Sequence, residues 1–346
     1  MSERNDIIIS FVIPVYNQAE YMEKWMCILS EYEGNDIELV VADDGSSDNL
    51  EDTIKKYQDN RVNIFRNKER VGQDRNILYG ISKSKGKYIW LFRTKDFVIP
   101  SKIRDVIQVL NNNKDVSWLT GSCVDEDGKD KIKYEEDISY NKGKDALVGH
   151  FHLYQHPSGC IYRKEFIEVE RLDSFLREKT DAFHFIYLFS LMRLSLSQKG
   201  SFICLRDVIW VYSNTEKART ISANRGGKYI YDPDYNYMRL AGEFAWAHTE
   251  LDGEARFYAF ARIFGWYLMQ VTWVYYLDVS NLEHTQHYGI EVRKVEMDKE
   301  RNQYLDVVNK LERQYSIDNA DYYLRLKNCY LQKNKDFCLQ ILQKND

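Results

Sequence analysis

The hexapeptide Asp43-Asp44-Gly45-Ser46-Ser47-Asp48 packs two adjacent carboxylates, a glycine and two hydroxyls before a third carboxylate. Such a run makes a tight loop rich in acceptors and backbone donors. It can read the edge of a base or a ribose, and the helix that follows favours an anion at its N-terminus. An ordinary strand-to-helix turn with a good N-cap has the same composition, so the loop alone leaves both readings open. Pro14, Tyr16 and Asn17 form another polar group at a strand end. A third, Arg93-Thr94-Lys95-Asp96, lies inside GKYIWLFRTKDFVIP and sets two cations before one carboxylate. Asp181 stands where an apolar helix begins, in REKTDAFHFIYLFSL. A positioned carboxylate that takes a proton is worth about 10²–10⁴ in rate. Thr180 or Asp181 would serve equally as a helix cap.

The elements that must hold these groups alternate between two periods. IIISFVIPVY, DIELVVADD, RVNIFRN and KYIWLF read as buried strands. AEYMEKWMCILSEYE, DNLEDTIKKYQ and VGQDRNILYGISKS read as the helices between them, and Gly86 ends the last before its strand. In the first helix Tyr21, Trp25, Cys27 and Leu29 are expected near one face; Asp48 or Asn49 is expected to cap the second. Repeated βα units predict a mostly parallel sheet flanked by helices, with ligands at the carboxyl ends of its strands. After residue 100 the pattern loosens. SKIRDVIQVLNNN reads as helix, VSWLTGSCVDEDGKDKI as strand, turn and strand, residues 182–197 as an apolar helix, and SFICLRDVIWVYSN as strand. Asp125 and Asp127 in DEDG have metal-motif spacing, but between two short strands they read as a hairpin turn. NRGGKYIYDPDYN, 224–236, is the expected linker. It separates an α/β domain, 1–231, from a helical region, 232–346.

Composition narrows the partners. With 346 residues, 44% hydrophobic and 29% charged, the chain can bury a sizeable core. A net charge of −5 gives no reason to expect nucleic acid. Six scattered cysteines form no CxxC pair and read as free thiols in a reducing cytosol. The N-terminal apolar run is short, β-rich and broken by Pro14, unlike a secretion signal. Residues 257–277 are long enough to cross a bilayer, yet Arg262, Gln270 and many aromatics favour a helix buried in a bundle. Trp246, Phe257, Trp266, Trp273 and Tyr275 are expected as core rather than as a ligand platform. His150, His152 and His156 lack a suitably spaced cysteine or carboxylate to complete a metal cluster and are taken as loop residues.

Four segments in order carry a resemblance: SFVIPVYNQAEYMEKWMCIL, ELVVADDGSSDNLEDTIKKY, NIFRNKERVGQDRNILYGISKSKGKYIWLFRTKDFVIP and HPSGCIYRKEFIEV. Over roughly residues 7 to 215 the chain resembles the family-2 glycosyltransferases, inverting enzymes with a nucleotide-sugar-binding fold of GT-A type. The resemblance implies transfer of a sugar from a nucleotide donor, most often UDP-linked, to a hydroxyl of a glycan or lipid-linked acceptor. It also implies assembly of capsule, lipopolysaccharide or another surface polysaccharide, in the cytoplasm or peripheral to the inner face of the membrane.

Carried over by residue, the resemblance makes Pro14, Tyr16 and Asn17 the first nucleotide loop and Asp44, with Asp43, the carboxylates at the base. Gly72, Arg75 and Asn76 help hold the nucleotide, although Arg75 also reads as a helix arginine in a surface pair. Asp181 is implied as the base, the first acid of the family's pair being replaced by Thr180. Arg219 and Ser222 are implied to close on the diphosphate, where a charged surface loop is an equal alternative.

The main departure is at Arg93-Thr94-Lys95-Asp96. Relatives carry an Asp-x-Asp-Asp run that holds a divalent metal, Mn or Mg; here only Asp96 remains acidic. One carboxylate is a poor site for such an ion. Arg93 and Lys95 could instead supply the positive charge the diphosphate needs. A non-catalytic protein that keeps the fold and binds a nucleotide or partner is the rival reading. Residues 232–346 are expected either to shape the acceptor side or to build a homo-oligomer.

Overall fold

The computed structural model describes residues 7–179, 188–213 and 233–263. The chain divides into two compact units, Met1–Thr215 and Glu216–Asp346. The first is an α/β unit around a ten-stranded sheet.

Strand β1 (Ile9–Val15) leads through a short 3₁₀ turn to helix α1 (Met22–Glu31). Then follow β2 (Ile37–Asp43), α2 (Leu50–Lys55), β3 (Val62–Arg66), α3 (Gln73–Lys83) and β4 (Tyr88–Leu91). All seven residues of β2 and all four of β4 are buried, the burial a strand covered on both faces requires. Next come β5 (Phe97–Val98), α4 (Ile103–Asn112), β6 (Val116–Asp125), β7 (Asp130–Ile132), β8 (Ile138–Tyr140) and α5 (Lys144–His152). The unit continues with β9 (Cys160–Arg163), α6 (Val169–Lys179), α7 (Leu188–Ser197) and β10 (Ser201–Tyr212). In α4 the buried residues are Ile103, Val106, Ile107 and Leu110, a stripe one helical face wide.

The sheet runs β3-β2-β1-β4-β9-β6-β10-β5, with β7 on β6 and β8 on β10. Strands β3, β2, β1 and β4 are parallel neighbours; β9 enters antiparallel between β4 and β6, and β6 pairs parallel with β10. The carboxyl ends of β2, β1 and β4 therefore lie side by side, which brings three distant loops to one edge. Beneath them Phe11, Trp25, Trp90, Phe92, Phe97 and Trp210 form a connected aromatic core. Fully burying a side chain such as Phe11 or Phe92 contributes about 1.5–3 kcal/mol.

In the second unit, helix α8 (Pro233–Glu250) is followed by helical residues 253–263. Phe244 and Phe260 stack at 4.7 Å, and Trp246 is buried, as a core residue should be. No helix among the described residues is long and apolar enough to cross a membrane. Residues 264–277 of the apolar segment, with Trp266, Trp273 and Tyr275, lie outside the described residues.

Three local expectations are corrected. Cys27 is exposed, because two residues beyond Trp25 is more than half a turn around α1. Met22, Met26 and Ile28 share the buried face with Trp25 and Leu29 instead. Neither Asp48 nor Asn49 caps α2 with its side chain; Asp48 Oδ2 accepts from the Ala19 amide at 2.9 Å. Of the expected linker 224–236, residues from Pro233 on belong to α8, the missing N–H of that proline suiting a first helical turn, and the rest lies outside the described residues. Of the expected helix over 182–197, the part from Leu188 is helical and the rest lies outside the described residues. DEDG is a turn between β6 and β7: Asp125 Oδ1 accepts from the amides of Asp127 and Lys129.

Candidate functional site

The loops after β1 and β2 are stitched together. Asn17 adopts a left-handed φ of 52°, which asparagine tolerates well. Its amide donates to Ser46 Oγ at 3.0 Å, and its Oδ1 accepts from the Ser47 amide at 2.7 Å. Asp43 is fully buried, accepts from the Ser46 amide at 2.8 Å, and lies 3.5 Å from Arg66.

Asp44 is also buried, and it faces the loop before α3. Its Oδ1 accepts from the Val71 amide at 2.8 Å and its Oδ2 from Gly72 at 3.0 Å. Gly72 is the N-cap of α3 at φ 88°, a conformation in which a side chain would be strained. Burial raises the Asp44 carboxyl above its ordinary range, against the pull of the two amides and of Arg70. The Arg70 guanidinium stacks on the Tyr16 ring at 4.3 Å, with its Nε 3.9 Å from Asp44. Asn76 is buried beneath this loop: it donates to the Ala42 carbonyl at 2.7 Å and accepts from Asn67 at 2.9 Å. Arg75 points elsewhere and pairs with Asp173 of α6 at 3.3 Å.

The loop after β4 presses against the same edge. Thr94 Oγ1 lies 2.9 Å from the Pro14 carbonyl and 2.7 Å from Gln18 Oε1, and Trp25 Nε1 donates to the Thr94 carbonyl. Arg93 grips Asp96 with two bonds, Nε to Oδ2 at 2.6 Å and Nη2 to Oδ1 at 2.8 Å. The same guanidinium lies over the Tyr212 ring at 4.7 Å. Asp96 has no exposed surface and takes two further bonds, from Ser158 Oγ and from the Ser213 amide. Burial by itself would raise its carboxyl, but the Arg93 hydrogen bonds and charge, with Ser158, hold it below the ordinary range. Lys95 is 3% exposed.

His156 stands behind Asp96, its Nδ1 4.0 Å from Oδ2 and accepting from the Ser158 amide. Burial, and then the Arg93 charge, push its imidazole down to about 3 although Asp96 pulls the other way, so it is neutral. It stacks on Trp210 at 5.5 Å. Gly159 holds φ +79° where a Cβ would lie 2.2 Å from Trp210 Nε1, so only glycine fits.

Asp96 is the position at which the family's pattern implies a metal ligand, and the residues present do not fit one. A divalent cation wants several oxygen ligands. Both Asp96 oxygens are filled by protein donors, and a cation would have to displace the Arg93 guanidinium. Among the described residues no group of three or more His, Cys, Asp or Glu could hold a metal ion.

Pro14, Tyr16, Asn17, Asp43, Asp44, Gly72, Asn76, Arg93, Lys95 and Asp96 thus gather at one sheet edge or directly behind it. Asp181, Arg219 and Ser222 lie outside the described residues. Arg70, Ser158, Tyr212 and Ser213 were not singled out by sequence. The string HPSG was a signal for Ser158, but nothing local ties it to a carboxylate 62 positions away.

Comparison with known proteins bears on this arrangement. Residues 10–170 match the profile described as Glycosyl transferase family 2. That segment, just under half of the chain, is similar to this family. Abequosyltransferase RfbV of Salmonella typhimurium is 30% identical over 115 residues, 32% of this chain and 34% of its own. Glycosyltransferase GlyG of Streptococcus pneumoniae is 30% identical over 143 residues, 41% of this chain and 46% of its own. The chain thus spans less than half the length of these curated relatives. Among solved structures, S. aureus TarS 1-349 in complex with UDP superposes with a TM-score of 0.62 at 12% identity, covering 98% of this chain and 92% of that one. At that identity the likeness concerns the fold, which is the expected GT-A type.

Proposed function

We propose that this chain is a family-2 glycosyltransferase that moves a sugar from a nucleotide donor to a hydroxyl acceptor. The observation that carries the reading is the convergence of three loops on one sheet edge. A tyrosine ring capped by a guanidinium lies there beside a buried carboxylate, with a second guanidinium on the far side of β1. Tyr16 offers a face on which a base can stack, and the Asp44 loop borders its edge. A UDP-linked sugar is the first donor to try, because a protein of the same fold is solved with UDP-GlcNAc bound. Inversion, with Asp181 as base and Arg219 and Ser222 at the diphosphate, follows the family pattern. Arg75, paired with Asp173, would act on the nucleotide only by leaving that partner.

A polysaccharide or lipid-linked acceptor is favoured by relatives such as RfbV and the GalNAc(5)-diNAcBac-PP-undecaprenol beta-1,3-glucosyltransferase of Campylobacter jejuni, 23% identical over 177 residues. The region 232–346 is proposed to shape the acceptor side or to mediate self-association, and the site of action to be the inner face of a bacterial membrane.

The test is a panel of sugar nucleotides offered to the full chain with lipid-linked and free glycan acceptors, following release of nucleoside diphosphate. Turnover of one donor, with the product's anomeric configuration opposite to the donor's by NMR, is expected. The self-neutralised pairs at the site favour one rival, a binding module of the same fold. Tight nucleotide binding without turnover across the whole panel would establish that rival.

A further inference from the structure

We propose that Arg93 is the resident cation of the diphosphate subsite, positioned by Asp96, and that donor binding and transfer therefore require no divalent metal. The proposal rests on the nucleotide-sugar reading above.

Three observations converge on Arg93. Its position is right: the loop that carries it is bonded to Pro14 and Gln18 of the first nucleotide loop through Thr94. Its geometry is fixed from two sides, by the bidentate bond to Asp96 and by the Tyr212 ring at 4.7 Å. Arg93 is nevertheless only half-buried, whereas Lys95 is buried, so the structure separates the two cations the sequence left equivalent. A guanidinium presents five N–H groups in a rigid fork, and the bonds to Asp96 are made through Nε and Nη2.

The role of Asp96 is thereby reversed. In place of binding an ion it binds a side chain, and it also collects Ser158 Oγ from the loop before β9 and the Ser213 amide at the end of β10. Three separate segments set the angle of one guanidinium. Asp96, Ser158 and Ser213 are positioning residues; only Arg93 is placed to touch substrate.

In the loop's own sequence, Arg93-Thr94-Lys95-Asp96, two cations stand against one carboxylate. As the acceptor oxygen bonds to the anomeric carbon, the bond from that carbon to the diphosphate oxygen breaks. The electron pair leaves on the diphosphate and the acceptor's proton passes to a general base. Fixed N–H donors aimed at that oxygen need no reorganisation as its charge grows.

The experiment is calorimetry on the full chain with uridine and with UDP, each in EDTA and in Mn²⁺. It uses wild type, Arg93→Gln, which keeps a donor for Asp96, and Arg93→Ala. Wild type is expected to bind UDP in EDTA with its affinity unchanged by Mn²⁺. Both variants should lose about tenfold or more in UDP affinity, the scale of a charged hydrogen bond, with uridine affinity unchanged. Strict dependence of UDP binding on Mn²⁺, or wild-type UDP affinity in a folded Arg93→Ala, overturns the resident cation and leaves the nucleotide-sugar reading standing. Failure of uridine, UDP and a parallel GDP titration under every condition overturns both. Should neither variant fold, the wild-type comparison with and without chelator decides alone.

Discussion

Asp44 and Asp96 lie on either side of β1, buried in the loops that follow β2 and β4, yet they are neutralised in different ways. Asp44 is met by two backbone amides of the loop before α3; Asp96 is met by a guanidinium, a hydroxyl and one amide. The two amides, with Arg70 at 3.9 Å, do not offset the burial of Asp44, and its carboxyl is raised; a hydrogen-bonded guanidinium more than offsets that of Asp96, and its carboxyl is lowered. The first arrangement leaves a carboxylate that a ligand donor can still improve. The second is complete without a ligand.

The comparison breaks most decisively at Asp96. Asp96→Ala takes from the Arg93 guanidinium its carboxylate partner and opens three hydrogen-bonded segments. A loss of about 3–5 kcal/mol is expected, the scale of removing one partner of a buried ion pair. Urea denaturation measures it, and a loss under about 1 kcal/mol would show the pair to be solvated after all. The two acids should also respond oppositely to pH. The folded-state value of Asp96 is depressed, so its stabilisation is present above the unfolded value of about 3.9 and is lost as pH falls through the folded value. The folded-state value of Asp44 is raised, so its relative contribution is fully present below the unfolded value and fades as pH rises through the folded one. Urea midpoints from pH 7 down to 2.5 should therefore fall less steeply for Asp96→Asn than for wild type, and more steeply for Asp44→Asn.

Next in size is Asp44→Ala. It leaves the Val71 and Gly72 amides without their acceptor, at about 1–3 kcal/mol, and should weaken nucleotide binding on the same scale. Unchanged affinity for UDP and GDP by calorimetry would remove Asp44 from the base subsite. Arg70→Ala sharpens the contrast further: loss of its stack on Tyr16 should cost only about 0.5–1 kcal/mol of stability. Its effect on UDP binding should exceed that, because the guanidinium caps the ring. Equal small effects on both would make Arg70 a surface residue. The smallest expected effect is none: with its imidazole pushed down to about 3, His156 should show no NMR titration between pH 5 and 8. A midpoint in that window would mean that Asp96 carries more charge towards His156 than the Arg93 pair allows.

The first half of the fold was legible because each element states its own period. Seven consecutive buried residues in β2 and the i, i+3, i+4, i+7 stripe of α4 are local facts about types and spacing. Strand β9 was not, since only four residues pair antiparallel between two strands that are distant in sequence, and helix α6 went unread beside it. The same divide runs through the site. Asp44, Gly72 and Arg93 stand at strand or helix ends and could be picked out from the chain. The partners that define Asp96 could not, because Ser158 and Ser213 reach it across 62 and 117 positions. Local patterns carry no trace of such bonds; they exist only once the sheet has assembled.

The stitching of Asn17 to Ser46 and Ser47, with Asp48 on the Ala19 amide, has a thermodynamic consequence. The two loops are ordered during folding, so a ligand arriving at them does not have to order them again. Nucleotide binding should show the modest negative heat-capacity change of surface closing over a preformed cleft, not the large one of a segment folding around its ligand. Its association rate should likewise stay within the ordinary range for docking to a ready surface, undelayed by any rearrangement of these two turns.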